Sequence, residues 1–280
     1  MSDSVKAFFK RLKKNKQMLI GGALLIVLII IAIFGPMMAP HNPKVLNVQF
    51  VPPFSPGHLL GTDHLGRDIL SMILYGVRTS LIIGFIAALI SAFVGVVVGG
   101  VAGYFGGWID KVLNEIMNVF MMLPTFFLIL LIVALFGSSI TNVMIVIGLT
   151  SWTGNARLMR AQAISIKERT FVKSAIAIGE SKWSILIKHV VPNGIFPIVA
   201  QTTMNISGAI LTESSLSFLG LGDPNVFSLG KIINDGKGYL PRCWWISTFA
   251  GLVVIVVVIT FFLLGDGLNR VLSPKMDANK

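Results

Sequence analysis

The sequence predicts an all-α integral membrane protein with six transmembrane helices and both termini in the cytoplasm. Three observations carry this. The chain is 54% hydrophobic and only 12% charged, with a mean hydropathy of +0.82, whereas soluble domains carry about 25% charged residues. Its charges cluster between long apolar runs that contain none. With the N-terminus inside, 17 Lys and Arg residues fall on the cytoplasmic side and 6 outside, the bias of the positive-inside rule. The same bias accounts for the net charge of +11, which in a soluble protein would suggest nucleic acid; here the expected partner of the chain is the lipid bilayer, and no nucleic acid is expected.

Residues 1–17 form a basic cytoplasmic tail, with Lys6, Lys10, Arg11, Lys13, Lys14 and Lys16. Residues 18–38 carry no charge and would be about 31 Å long as a helix, enough to span. A cleaved signal peptide is the competing reading, but its apolar core is shorter and Met37-Met38-Ala39-Pro40 is a poor cleavage site, so a retained signal-anchor is expected. Residues 39–76 are rich in proline and polar residues and lie outside. In them Thr62 or Asp63 can cap a short helix, with Leu65, Ile69, Met72 and Ile73 toward the bilayer or bundle. Arg67 and Asp68 are available to pair with charges on a partner chain. His58, His64 and Asp63 make a weak metal set, and no metal site is expected.

Residues 77–267 hold the remaining five spans. The second runs near 79–104, where Gly95, Gly99, Gly100 and Gly103 allow close helix approach. The third, near 111–136, is expected to kink at Pro124, either to gate a pathway or only to fit the packing. The fourth, near 140–153, follows the Gly137-Ser138-Ser139 turn and continues through 155–159 into a polar cytoplasmic segment, 157–193. The fifth covers 194–211, residues 223–242 are polar and outside, and the sixth covers 243–265, followed by a cytoplasmic tail at 268–280. The single Cys243 excludes an internal disulfide framework and a Cys-based zinc site.

The most informative polar stretch is 169–193. It reads as two short amphipathic helices. The first stops at Gly179; the second starts behind Ser181 and sets Trp183, Leu186, Ile187 and Val190 along one face, with Lys182 and Lys188 elsewhere around it. Pro192 is expected to end it. A helix pair this short cannot cross a bilayer and must lie at its surface.

This stretch resembles the cytoplasmic coupling loop of ABC-importer permeases, with Gly179 and Pro192 thirteen residues apart. Lys173-Ser174-Ala175 stands where the family has Glu-Ala-Ala, and His189, Pro192 and Asn193 match the ending of the dipeptide/oligopeptide branch. Residues Gly61, Thr62, Asp63, Leu65, Gly66, Arg67, Asp68, Leu70 and Ser71, followed by Gly76, Arg78, Ser80 and Leu81, resemble that branch's GTDxLGRDxLS…GxRxSL signature. Glu213 and the run from Leu216 to Gly222 are similar to its E-x-x-LSFLGLG segment. The ending Gly265-Asp266-Gly267-Leu268-Asn269-Arg270, then Ser273-Pro274, is similar to its GDGLRD…DP close, with Asn269-Arg270 in place of Arg-Asp.

The resemblance implies the type I ABC-importer permease fold, in a prokaryotic cytoplasmic (inner) membrane. It implies a homologous permease subunit forming a heterodimer with this chain, two ATPase subunits and an extracytoplasmic solute-binding protein. The cargo would be a di- or oligopeptide, or else glutathione or a nickel complex. The coupling residues would be Lys173, Ser174, Ala175, Gly179, Glu180, Ser181, Trp183, Ile187, His189 and Pro192, with Trp183 a candidate anchor in the ATPase. Glu213 would pair with a partner helix, line a vestibule or cap a structural turn.

The residues themselves supply no energy source. Neither Gly230-Lys231 nor Gly236-Lys237 completes a P-loop, no HExxH occurs, and Cys243 has no nearby base. No enzyme activity and no cofactor are expected on this chain; ATP and magnesium belong to the partner subunits. A stand-alone channel or an ion-driven carrier is the alternative, but such carriers usually place ionisable groups near mid-membrane, and these spans have none there. A non-transporting scaffold would leave the motifs at both faces without a use.

Overall fold

The computed structural model describes residues 15–272, so most of the basic tail and the Ser273-Pro274 ending lie outside it. The regular structure of the described residues is all helical, apart from two isolated β-bridges. Helix α1 spans Lys16–Met38, and Asn15 caps it by accepting from the backbone N–H groups of Gln17 and Met18. Helix α2 spans Ile69–Phe105. Helices α3 (Gly107–Met122) and α4 (Thr125–Phe136) follow, then α5 (Ile140–Thr150) and α6 (Thr153–Lys167). The polar turn holds α7 (Thr170–Ala177) and α8 (Lys182–Ile185), then a π-helical turn at Leu186–Val190. Helices α9 (Val191–Phe218), α10 (Leu229–Lys237) and α11 (Trp245–Leu272) complete the chain.

Four continuous helices are long and apolar enough to cross a membrane: Lys16–Met38, Ile69–Phe105, Lys182–Phe218 and Trp245–Leu272. The pair α3 and α4 makes a fifth candidate, bent by 82°. The kink expected at Pro124 is therefore a full break: Leu123 and Pro124 are both extended, and the helix restarts at Thr125. The expected fourth span differs. Helix α5 has 11 residues, about 17 Å, too short to cross alone. A break at Ser151-Trp152 separates it from α6, where Ser91 Oγ on α2 donates to the Ser151 carbonyl at 2.9 Å.

Two further expectations are corrected. The short helix capped by Thr62 or Asp63 does not form; Asp68 caps α2 directly by accepting from Ser71 N–H, and that helix runs unbroken for 37 residues. Pro192 does not end the second polar helix. It sits in the first turn of α9, and Lys182–Phe218 is continuous. The reason lies in the π turn just before it, where Val191 N–H reaches back to Leu186 O. Widening the helix there makes room for a proline ring that would otherwise meet a carbonyl four residues back.

The bundle is built around α2, which packs on α6, α9, α1 and α5. Gly95, Gly99 and Gly103 form the face toward α6; a Cβ on any of them would collide with Asn155, Ala156 or Arg160. Packing this close replaces the hydrophobic driving force that lipid does not provide. Near the start of α2 the core gathers Ile69, Met72, Val77, Ile210, Leu229, Ile232 and Ile246. Near its end a second cluster gathers Tyr104, Met159, Ile166, Val172, Ile185, Leu186 and Val190. The 37 residues of α2 put the two ends about 55 Å apart.

Candidate functional site

The 170–190 turn is a pair of short helices held by internal hydrogen bonds. Helix α7 buries Val172 and Ala175 and ends in a Schellman motif: Glu180 N–H donates to Ala175 O and Gly179 N–H to Ile176 O, each at 3.1 Å. Gly179 takes φ +85°, a value open to glycine at little cost. Ser181 caps α8 as expected, accepting from Ser184 N–H. The carboxylate of Glu180 then ties the turn to the second helix and the π turn after it. Its Oε1 accepts from Ser184 Oγ at 2.6 Å and its Oε2 pairs with His189 Nε2 at 2.8 Å. These bonds, from Ser184 first and then His189, hold its carboxyl below the usual carboxylate range. Asn193 Nδ2 donates to the His189 carbonyl at 2.7 Å, closing the π turn from its far side.

The face expected of the second helix is divided. Leu186 and Val190 turn inward with Ile185, while Trp183 and Ile187 point outward. Ile178 at the tip of the turn is 83% exposed and Ile187 64%. With Ile176 and Trp183 they form an apolar surface flanked by the exposed Lys182 and Lys188. Of the triplet standing in place of Glu-Ala-Ala, Ala175 is buried, Ser174 is exposed, and Lys173 pairs with Glu168 at 3.0 Å. One stabilising tie was not anticipated from the sequence: Arg160 on α6 holds Asp110 on α3 through two bonds of 2.6 and 2.7 Å.

At the opposite end, the Gly61–Asp68 motif is a buried polar knot. Thr62 Oγ1 donates to Val48 O at 2.7 Å and accepts from Val51 N–H at 2.9 Å. Trp245 Nε1 donates to the Thr62 carbonyl. Asp63 accepts from the backbone of Leu65 and Arg67 and from Arg67 Nε at 2.6 Å. Arg67 Nη2 also reaches Asp235 Oδ2 at 2.7 Å. Burial opposes the charge on Arg67, but Asp63 and Asp235 outweigh it and raise its pKa. Gly61 and Gly66 both take positive φ, and the Asn47 backbone lies where a Gly66 side chain would go. The expected pairing of Arg67 and Asp68 with a partner chain is thus overturned, since both are satisfied internally and buried. Asp68 Oδ2 accepts from Ser71 N–H and Oγ, and its Oδ1 faces His58 Nδ1 at 2.9 Å. Arg78 stands apart from the knot, exposed on α2.

Glu213 lies inside this chain, 3% exposed, near the end of α9. Ser217 Oγ donates to its Oε1 at 2.7 Å, while Oε2 has no hydrogen-bond partner. It lines a small cleft together with Thr79, Ile83, Ile140, Asp223 and Ser228.

The family model described as "Binding-protein-dependent transport system inner membrane component" matches residues 95–278. The chain belongs to this family. Residues 5–54 match a second model, the N-terminal TM domain of oligopeptide transport permease C. Similar relatives are the dipeptide transport system permease proteins DppC of Bacillus subtilis and Escherichia coli K12. The first is 38% identical over 96% of this chain and 85% of the relative. The second is 38% identical over 97% of this chain and 93% of the relative. The Haemophilus influenzae DppC is 34% identical over 97% and 95%. An inward-facing structure of the MetNI methionine ABC transporter shares the fold, with a TM-score of 0.58 at 15% identity over 72% of this chain and 96% of the matched chain. The resemblance read from the motifs therefore holds: the protein is a multi-pass membrane permease subunit of the binding-protein-dependent transport family.

Proposed function

We propose that this chain is one of two related permease subunits that enclose the pathway of an ATP-driven importer of di- and oligopeptides. Six spans place both termini in the cytoplasm, with α5 and the beginning of α6 together completing the fourth. A separate solute-binding protein delivers the peptide from outside. Two ATPase subunits, which carry the ATP and magnesium and do the hydrolysis, grip the 169–193 turn from below. Transport itself draws on no cofactor in this chain. The membrane is the inner membrane of a prokaryote.

The observation that carries the reading is the turn itself. It exposes Ile176, Ile178, Trp183 and Ile187 to the outside of the chain, while Ile185, Leu186 and Val190 root it in the bundle. An apolar tip on a rigid base suits a lever that another protein pushes, with the aromatic as an anchor. The peptide cargo is supported by the dipeptide permeases to which the chain is similar. Site-directed cross-linking tests this. In membranes containing the whole transporter, Ile178→Cys is expected to cross-link to the ATPase subunit and to resist membrane-impermeant maleimide in intact cells. Ready labelling from outside the cell would overturn the reading.

A further inference from the structure

We infer that His41, His58 and Asp68 form a site for a divalent transition-metal ion of the zinc class. The site lies at the end of α2 remote from the coupling turn. This goes beyond the transport function proposed above and does not depend on the cargo.

The three side chains come from separate parts of the chain. His41 lies just past the end of α1, His58 in the loop, and Asp68 at the cap of α2. One ligand atom from each lies within 4.8 Å of the other two. His58 Nδ1 is 2.9 Å and His41 Nδ1 3.8 Å from the same oxygen, Asp68 Oδ1. Zinc–ligand distances of ~2.0–2.1 Å place neighbouring donors of a tetrahedral site about 3.3 Å apart. The two observed separations straddle that value, so a small swing of His41 completes the set.

A hydrogen bond between His58 and Asp68 explains that pair but leaves His41 unexplained. Its Nδ1 is closed off from solvent and has no hydrogen-bond partner, which is uncommon for a buried polar atom. Its ring lies 4.7 Å from that of His58. The supports behind the three groups are also in place. Ser71 Oγ donates to Asp68 Oδ2 and accepts from the His41 backbone N–H. Oδ1 is thus aimed at the imidazoles while Oδ2 is held elsewhere, the way outer groups orient metal ligands. Two imidazoles and one carboxylate suit zinc or nickel and not a hard ion such as calcium or magnesium. His64 does not join the set: it stacks on Tyr239 and faces Asp63. The bound ion would fasten the linker after α1 to the cap of α2.

The test uses the full chain, purified without a polyhistidine tag, stripped with EDTA and titrated with zinc sulfate. One zinc per chain is expected after gel filtration, with a higher unfolding temperature and no response to calcium. Loss of even an outer partner typically costs ~10–100-fold in metal affinity, so His41→Ala and His58→Gln should each weaken binding at least about tenfold. His64→Ala should leave it unchanged. Histidine footprinting of the unaltered chain with diethyl pyrocarbonate provides a readout free of any folding defect: zinc should protect His41 and His58 and spare His189 from protection. Stoichiometry far below one, equal weakening by His64→Ala, or no selective protection would each overturn the site.

Discussion

Trp183 lies against Phe105, their ring centroids 4.9 Å apart and their planes inclined by 57°. Phe105 is the last residue of α2, so this contact joins the outer helix of the coupling turn to the helix around which the bundle is built. Tyr104 backs it with an edge contact to Phe105. Trp183 thus has one side exposed and the other bearing on α2; in the proposed function the exposed side is the anchor in the ATPase.

Separating the two roles is possible by substitution. Phe105→Ala removes the bearing and keeps the exposed indole. An aromatic pair contributes about 0.5–1.5 kcal/mol beyond its buried area, so peptide uptake in membrane vesicles should fall by roughly twofold to tenfold while the ATPase still co-purifies. Trp183→Ala should weaken both. Unchanged uptake in Phe105→Ala would mean that movement reaches α2 by another route.

Gly179 sets the angle between α7 and α8. At φ +85°, nothing lies within 4 Å of an added Cβ, so alanine meets no steric clash and only the cost of a left-handed backbone, about 1–2 kcal/mol. Gly179→Ala should retain most uptake. Proline cannot adopt that φ and also loses the N–H that donates to Ile176 O. Gly179→Pro is expected to abolish uptake while the chain remains in the membrane at normal abundance, measured by quantitative immunoblotting beside the transport assay.

The Glu180 bridge makes the turn sensitive to acid. The carboxyl has a pKa below its ordinary 4.5 because Ser184 and then His189 hydrogen-bond its charged form. A carboxyl lowered on folding contributes stability above its unfolded pKa, and that contribution is lost as pH falls through the folded value. Backbone amides at 181–190 should therefore exchange faster, after correction for intrinsic rates, as pH drops below 4.5. Hydrogen-exchange mass spectrometry would follow this. Glu180→Gln should show fast exchange already at neutral pH and a flattened pH response.

What the sequence made legible was local. Gly179 as a stop and Ser181 as a cap depend on neighbours within a few residues, and both are realised. Pro124 announced a kink but not a full break or its 82° angle, which depends on what α3 and α4 pack against. Pro192 misled because its usual effect is relieved by a π turn, and nothing in Leu186–Val190 marks one in advance. Asp68 was passed over as the cap because Thr62 and Asp63, a few residues earlier, are residue types that cap as well. Arg67 was given to a partner chain although Asp63 stands four residues before it, because its second partner, Asp235, is 168 residues away. His41 carried no motif at all. Long-range pairing of polar groups leaves no periodic trace, whereas capping, turns and small-residue faces do.

The small-residue face of α2 yields the sharpest contrast between positions of one type. A side chain at Gly99 would press on the backbone of Ala156, which cannot move without displacing α6, and Gly95 and Gly103 meet the same helix. Gly208 on α9 and Gly251 on α11 have nothing within 4 Å of an added Cβ. Overpacking a well-fitted contact costs about 1–3 kcal/mol, and here even a methyl forces two helices apart. Gly99→Ala should therefore lower the unfolding temperature of the purified permease and Gly99→Leu should prevent its accumulation, whereas Gly208→Ala and Gly251→Ala should match the parent. Fluorescence-detected gel filtration after heating ranks all four. Equal stability of Gly99→Leu and the parent would show that α2 and α6 are not in the contact described.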